Sequence, residues 1–328
     1  MSTAPVSATR APRATTPTRS GRAGTGLEHS QRRAGQLLVL PALALVIVFV
    51  LFPLAFAVYI SLTDWPLIGN AKFVGLDNYS SLFSDVAFGR SILFTLLYTA
   101  IVTVPIFVLG YLLAMFVRTK RRGAVLFRTL LFLPYVVGLT AVSFVLVLEL
   151  QPGTGVINFL LQHAHITNGQ TAWLVSTTPA ILITCLLVVW FASGLTMLLL
   201  MGGMQGIPKD VYESAEVDGA GFWARELRIT VPLLRRTIAL SLILSIIGSF
   251  LAFNQFYILT QGGPGSSTTT VLYAIYNRAF VQLRLGSATA ESIVLVLVIA
   301  AVTAVQFWLL REDRGESRRI RRRVRRAS

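Results

Sequence analysis

Carboxylates are the reactive groups this chain concentrates most tightly. The stretch from Gly206 to Pro232 reads GIPKDVYESAEVDGAGFWARELRITVP, and Asp210, Glu213, Glu216 and Asp218 all fall within it. A carboxylate accepts paired hydrogen bonds from a guanidinium, so these acids suit ion pairing with the arginines of a partner protein. The residues among them are small: Ser214, Ala215, Gly219, Ala220 and Gly221 allow close docking into a cleft. Pro208 suits the first position of a helix, where its missing N–H costs nothing, and Asp210 and Glu213 follow where the positive helix start favours acids. Asp218-Gly219 reads as a turn because glycine adopts positive φ without strain. A second short helix is predicted from Ala220 to about Ile229. It should end before Pro232, since a proline disfavours helical backbone in the residue ahead of it. The expected element is a compact helix–turn–helix knob.

Neutral polar groups in apolar surroundings form a second set of candidates. Asn254 and Gln255 in LAFNQFYILT are amides that cost free energy in hydrocarbon unless paired. They suit either a hydrogen bond to a sugar hydroxyl or a bond between two helices. In VVWFASGLTM, Trp190 and Phe191 offer faces for a pyranose ring and Ser193 a hydroxyl, and the same residues also serve as plain packing. Ser241, Ser245 and Ser249 recur every four residues on one helix face, a pattern that close helix packing explains without a pore. No G-x-x-x-x-G-K-[ST] phosphate loop occurs. His163 and His165 have no cysteine or acid nearby at ligand spacing, so neither metal nor cofactor is expected. Cys185, the one cysteine, cannot form an internal disulfide and reads as packing.

The elements that must position these groups are membrane-spanning helices. Hydrophobic residues make up 54% and charged residues 13% of the 328, with a formal charge of +15, which argues against a soluble domain. Leu37 to Leu62 carries no charge and as a helix would reach about 39 Å, enough to cross a bilayer core of about 30 Å with tilt. Ala55-Phe56-Ala57 mimics a signal-peptide cleavage site, but signal cores are only about 7 to 15 residues, so an uncleaved span is preferred. Five further runs pass the same test: about Ser91 to Val117, Thr129 to Leu148, Pro179 to Met201, Thr237 to Leu259 and Ser292 to Leu310. Of the 29 Lys and Arg, all but Lys72, Arg90, Arg278 and Arg284 fall in the segments 1–36, 118–128, 202–236 and 311–328. By the positive-inside rule both termini and the knob are cytoplasmic.

Residues 1–36 are Ser/Thr/Ala/Pro/Arg-rich and are expected to be a disordered basic tail. The domain reading is therefore a six-helix membrane domain over 37–311, with the coupling element at 206–232, between that tail and a second basic tail at 312–328. The closing SRRIRRRVRRAS holds topology or touches anionic lipid rather than nucleic acid, since no recognition module accompanies it. No predicted span has a carboxylate, lysine or arginine in its interior, with Glu149 and Glu291 only at span ends, which counts against a self-sufficient ion-coupled carrier.

Tyr212-Glu213-Ser214-Ala215-Glu216-Val217-Asp218-Gly219-Ala220, followed by Ile229-Thr230-Val231-Pro232, resembles the EAA motif of binding-protein-dependent ABC importer permeases of the carbohydrate-uptake, maltose-type family. The similarity extends upstream through Gly202-Gly203-Met204-Gln205-Gly206-Ile207-Pro208 and downstream to Leu259-Thr260-Gln261-Gly262-Gly263-Pro264. This last element resembles the first of the two permease subunits in such systems.

The resemblance implies an all-α, type I ABC importer permease fold with six transmembrane helices in a bacterial plasma membrane. It implies a transport subunit with no catalysis of its own. Its partners would be a second homologous permease subunit, two copies of a cytoplasmic ABC ATPase and an extracytoplasmic solute-binding lipoprotein. The knob would be the coupling helix seated in an ATPase cleft. Glu213 would be the acid that pairs with the ATPase and Gly219 the turn glycine, with Ala215, Asp218 and Ala220 beside them; Ser214 replaces the usual alanine.

Positions matching the family's sugar site fall on Val188, Phe191, Ala192, Leu195, Gly248, Leu251, Ala252 and Gln255. Several are polar or aromatic in the maltose permease and apolar here, so Gln255 is the best carried-over candidate and maltose itself is in doubt. The outer loop GGPGSSTTT reads either as lying near a docked binding protein or as a flexible turn. A neutral di- or oligosaccharide is the expected cargo. Glycerol-3-phosphate or a glycerophosphodiester, and an independent secondary carrier, are the alternatives.

Overall fold

The structure is a computed structural model, and it describes residues 39–66, 68–118 and 123–311. Both expected tails lie outside the described residues. Helix α1, Val39–Ser61, contains a π turn at Ile47–Leu51 and exposes apolar side chains along its length, as a helix solvated by lipid must. Ala55-Phe56-Ala57 lie inside this continuous helix. By its contacts the chain divides between Phe56 and Ala57, and the helices that follow pack together as one unit.

After α1 come a short antiparallel pair, β1 Thr63–Asp64 with β2 Lys72–Phe73, and helix α2, Asp77–Ser84. The Asn78 amide donates to the carbonyls of Ser61 and Thr63, both at 2.9 Å, and so ties α2 to this turn. Helix α3, Val86–Val117, starts at Asp85, whose carboxylate accepts from the N–H of Ala87 at 2.8 Å and of Phe88 at 3.3 Å. This satisfies two of the N–H groups that every helix start leaves open.

Helix α7, Thr177–Gln205, is the chief partner of α3. With no hydrophobic drive between helices in lipid, small residues that admit close backbone approach decide such contacts. A Cβ on Gly110 of α3 would stand 2.7 Å from Thr196 Cγ2 of α7. A Cβ on Gly194 of α7 would stand 2.5 Å from the carbonyl oxygen of Leu131, in helix α4, Ala124–Val137. Around these contacts Ala114, Val117, Met197, Leu200 and Met204 form one buried cluster and Tyr98, Val102, Ile106, Cys185 and Val188 another.

The third predicted span, Thr129 to Leu148, is not one straight helix. It is broken between α4 and α5, Leu139–Glu149, with a bend of 91° at Gly138, whose φ of 90° and ψ of 141° suit only glycine well. Among the described residues five helices are long and apolar enough to cross a membrane, or six if the bent pair is one span. Helix α6, Val156–His163, follows α5 outside the spans.

Helix α8, Lys209–Val217, leads through the turn at Asp218-Gly219 to α9, Phe222–Arg225. The second helix does not stop before Pro232, as predicted. A π turn at Glu226–Thr230 leads straight into α10, Val231–Phe250, with Pro232 in its first turn. In the π turn the Val231 N–H bonds to the Glu226 carbonyl, and this wider spacing accommodates a ring that a regular helix interior would reject.

The fifth predicted span, Thr237 to Leu259, is interrupted before α11, Asn254–Leu259; at the break the Ala252 carbonyl accepts from Thr270 Oγ1 at 2.8 Å. Helix α12, Val271–Tyr276, and a π turn at Asn277–Val281 precede α13, Leu285–Arg311. The sixth span therefore begins before the predicted Ser292, and Glu291 lies inside it. Its carboxylate is 0% exposed and 2.7 Å from Arg278 Nε, whose guanidinium also pairs with Asp85. The apolar-run criterion stopped at a charge that a long-range partner neutralises.

Asp85 sits outside the spans, and the hydrogen bond from Arg278 holds its carboxyl below the usual range. A carboxylate with a depressed folded pKa stabilises the fold above its unfolded value and loses that contribution as pH falls through the folded one. The detergent-solubilised protein is therefore expected to hold its melting temperature from neutrality to about pH 5 and lose it below about pH 4. Asp85→Asn should lower the plateau and flatten that acid limb, as scanning calorimetry across pH would record.

Candidate functional site

The coupling candidates occupy one end of the α7–α8–α9 segment. Gly219 has φ of +76°, and the Gly219 N–H bonds to the Glu216 carbonyl at 3.0 Å, so the turn read at Asp218-Gly219 is present. Pro208 is the N-cap of α8 rather than its first residue. Glu213, Asp218 and Gly219 are exposed and Ala220 is half-buried. Ala215 points the other way: it is 8% exposed, and its small side chain lets α8 seat against the protein's own interior. Beside the acids stand apolar residues that sequence reasoning missed. Val217 is 89% exposed at the end of α8, with Phe222 and Trp223 exposed across the turn. Acids ringed by exposed apolar side chains have the makeup of a docking surface.

The five pathway candidates are not brought together. Trp190, 51% exposed, lines an apolar groove of about 460 Å3 with Val142, Val145, Leu146, Ile183 and Leu186. Phe191 stacks at a tilt on Tyr135, ring centroids 5.0 Å apart. Ser193 is buried, and its hydroxyl bonds back to the Trp190 carbonyl at 2.9 Å, so it is occupied by its own helix. Asn254 is exposed, whereas its neighbour Gln255 is 2% exposed in the α3–α7–α11 cluster. The Gln255 amide donates to the Tyr98 hydroxyl at 3.1 Å, and its Oε1 accepts from no described residue. Tyr98 also packs edge-on against Phe256 at 5.0 Å. Tyr98 has no motif signal; only the fold pairs it with Gln255, 157 positions away.

Ser241 and Ser249 are buried, and the hydroxyls of Ser241 and Ser245 find no partner among the described residues. His163 stacks on Phe159 at 4.1 Å, and among the described residues no three His, Cys, Asp or Glu side chains gather as metal ligands would. The GGPGSSTTT loop is pinned rather than slack. Thr268 and Thr270 are fully buried, Thr268 Oγ1 donates to the Gly263 carbonyl at 2.7 Å, and the Tyr273 hydroxyl donates to the Gln261 carbonyl at 2.7 Å. Behind it opens a cleft of about 560 Å3 lined by Arg90, Ser91, Phe94, Gln261, Asn277 and Arg278, among others.

The family described as binding-protein-dependent transport system inner membrane component matches residues 89–312, from α3 to the end of α13. The chain belongs to this family. As a member of that family it is a multi-pass membrane protein. It is 33% identical over 282 residues to the sn-glycerol-3-phosphate transport system permease protein UgpA of Yersinia pestis, covering 83% of this chain and 92% of the relative. It is 31% identical over 277 residues to the multiple sugar-binding transport system permease protein MsmF of Streptococcus mutans, covering 83% and 93%. Its fold is shared with a chain from the crystal structure of a bacterial alginate ABC transporter in complex with an alginate pentasaccharide-bound periplasmic protein. That match has a TM-score of 0.75 at 22% identity and covers 86% of this chain and 95% of that one. The fold is thus the ABC importer permease fold expected from the motif.

Proposed function

We propose that this chain is one permease half of an ATP-driven importer that carries a neutral di- or oligosaccharide across a bacterial plasma membrane. It works with a second homologous permease subunit, two copies of a cytoplasmic ATPase and an extracytoplasmic solute-binding lipoprotein. It hydrolyses nothing itself. The observation that carries this reading is the exposed acidic turn at Glu213 to Gly219, rimmed by Val217 and Trp223, on a family member that has no phosphate loop. Residues 37–311 are the permease domain, 206–232 the coupling element, and both tails lie on the cytoplasmic side, as the Lys and Arg distribution supports.

The neutral cargo is supported by the hydroxyl–amide pair Tyr98–Gln255, set among the apolar side chains of Val102, Cys185, Val188 and Phe256. Within the solute pathway Gln255 is the residue that meets cargo. Gln255→Ala is expected to raise the half-saturating concentration for uptake about three- to tenfold, one hydrogen bond's worth, without loss of assembly. Unchanged uptake kinetics would reduce this amide to a tie between α3 and α11.

An anionic solute is the second reading. It is favoured by the glycerol-3-phosphate relative and by Arg90 and Arg278 at the outer cleft, although Asp85 and Glu291 already neutralise Arg278. Two measurements test the proposal. Proteoliposomes carrying both permeases and the binding protein should take up solute only when the ATPase and ATP are added, and uptake without them would sink it. The cargo class follows from which ligand raises the melting temperature of the companion binding protein, neutral oligosaccharides or glycerol-3-phosphate.

A further inference from the structure

Glu226 is the acid of the 206–232 stretch to which no role has been assigned, and it is the one the protein buries, at 2% exposed. It opens the π turn between α9 and α10. Residues 226 and 230 of that turn face inward while Leu227 and Arg228 are exposed. The Tyr111 hydroxyl of α3 donates to Glu226 Oε2 at 2.8 Å, and the guanidinium of Arg118, just past the end of α3, pairs with Oε1. Arg118 Cζ also lies 6.0 Å from the centre of the Tyr212 ring, on α8. The Tyr212 hydroxyl in turn lies 3.1 Å from Oγ1 of Thr230, which is fully buried at the other end of the same π turn. The end of α3 and the 206–232 stretch, remote from each other in sequence, therefore close over one buried carboxylate.

Glu226 is buried and Arg118 half-buried, and such a pair is a poor device for stability alone, because desolvating the carboxylate offsets much of its attraction and apolar side chains of similar volume serve as well. It differs from apolar packing in being directional. Greasy surfaces slide past one another, whereas a charged fork held at both oxygens moves with its partner. The chain offers no short covalent route from α8 to α3: α8 is joined directly to α7 and α9, and α3 lies on the far side of α4 to α7. We propose that the Glu226–Arg118 pair, held by Tyr111 and Tyr212, is the strut through which displacement of the coupling element is passed to α3. This rests on the assignment of 206–232 as that element. In these terms Glu226, Arg118, Tyr111 and Tyr212 are positioning residues, since none is assigned a contact with cargo or nucleotide.

The test uses the whole transporter, with its partner permease, ATPase and binding protein, in proteoliposomes. Solute taken up per ATP hydrolysed is measured together with co-purification of the ATPase. Glu226→Gln and Arg118→Gln are each expected to lower uptake per ATP about five- to tenfold with the ATPase still bound, the size of a typical coupling term between sites. The exchanged pair Glu226→Arg with Arg118→Glu should recover part of that ratio. A normal ratio in both single variants overturns the strut, as does a parallel fall in uptake, hydrolysis and ATPase retention, which marks a merely structural pair. Tyr111→Phe removes one hydroxyl and leaves the ion pair. It should lower the ratio about twofold, and it decides the matter if the charge variants do not assemble: a normal ratio there also overturns the proposal. Failure of the coupling-element assignment itself would be visible separately, as unimpaired uptake and hydrolysis in Glu213→Arg.

Discussion

Glu213→Arg is expected to insert and assemble in the membrane yet to lose cargo-stimulated ATP hydrolysis and uptake together, by about a hundredfold or more. Glu213 is exposed on α8 beside a turn built on Gly219, with no ion pair recorded to it from any described residue, so its carboxylate is available to a partner. Replacing an acid that meets an arginine with a second cation converts attraction into repulsion at an interface, which costs several kcal/mol, and each 1.4 kcal/mol is a factor of about ten. Glu216 is a weaker site for the same experiment because Arg225 Nη1 already lies 3.1 Å from its carboxylate. The measurement is ATP turnover with and without loaded binding protein in proteoliposomes, alongside pull-down of the ATPase. Normal turnover in Glu213→Arg would remove α8 from its assigned role.

Gly194→Leu is expected to have the largest effect on the fold. The first atom of the new side chain would stand 2.5 Å from the Leu131 carbonyl oxygen and 3.2 Å from Phe132 Cα, and backbone cannot swing aside as a side-chain tip can. Separating α7 from α4 to admit it costs about 3 kcal/mol or more. The same substitution at Gly202, on the same helix, meets nothing within 4 Å and serves as the control. Thermal unfolding in detergent should show a large fall in midpoint for Gly194→Leu and a small one for Gly202→Leu. Equal midpoints would mean that the α4–α7 contact is not close-packed in solution.

Much of the architecture was legible because a bilayer imposes one crude requirement, an uncharged stretch of sufficient length, and the runs at 91–117 and 179–201 meet it almost to their observed ends. The knob was legible for a different reason: Asp218-Gly219 is local turn chemistry, and Gly219 does adopt positive φ. What escaped was everything that depends on partners distant in the chain. Glu291 looks like a span boundary until Arg278 is seen beside it, and Glu226 looks like one more surface acid until Tyr111 and Arg118, the latter 108 positions earlier, close around it. Pro232 misled for a local reason, since a rule written for regular helices does not anticipate a π turn. The pathway candidates carry no comparable local signal. Tryptophan, phenylalanine and serine are ordinary constituents of such helices, and only geometry separates Trp190 on an exposed groove from Gln255 in a buried cluster.

The 91° break at Gly138 constrains what surrounds this protein in a cell. Wherever a helix stops, carbonyls lose their partners, and wherever one begins, amides do; a corner has both within a few residues. Oil solvates neither, so this corner cannot be turned toward acyl chains. It has to be covered by protein or bathed by an aqueous lumen, and within this chain α7 packs on α4 and α11 on α5. The side of the bend that carries these open groups is therefore the side that protein or water must cover, and the smooth flanks of the two arms are what is left for lipid.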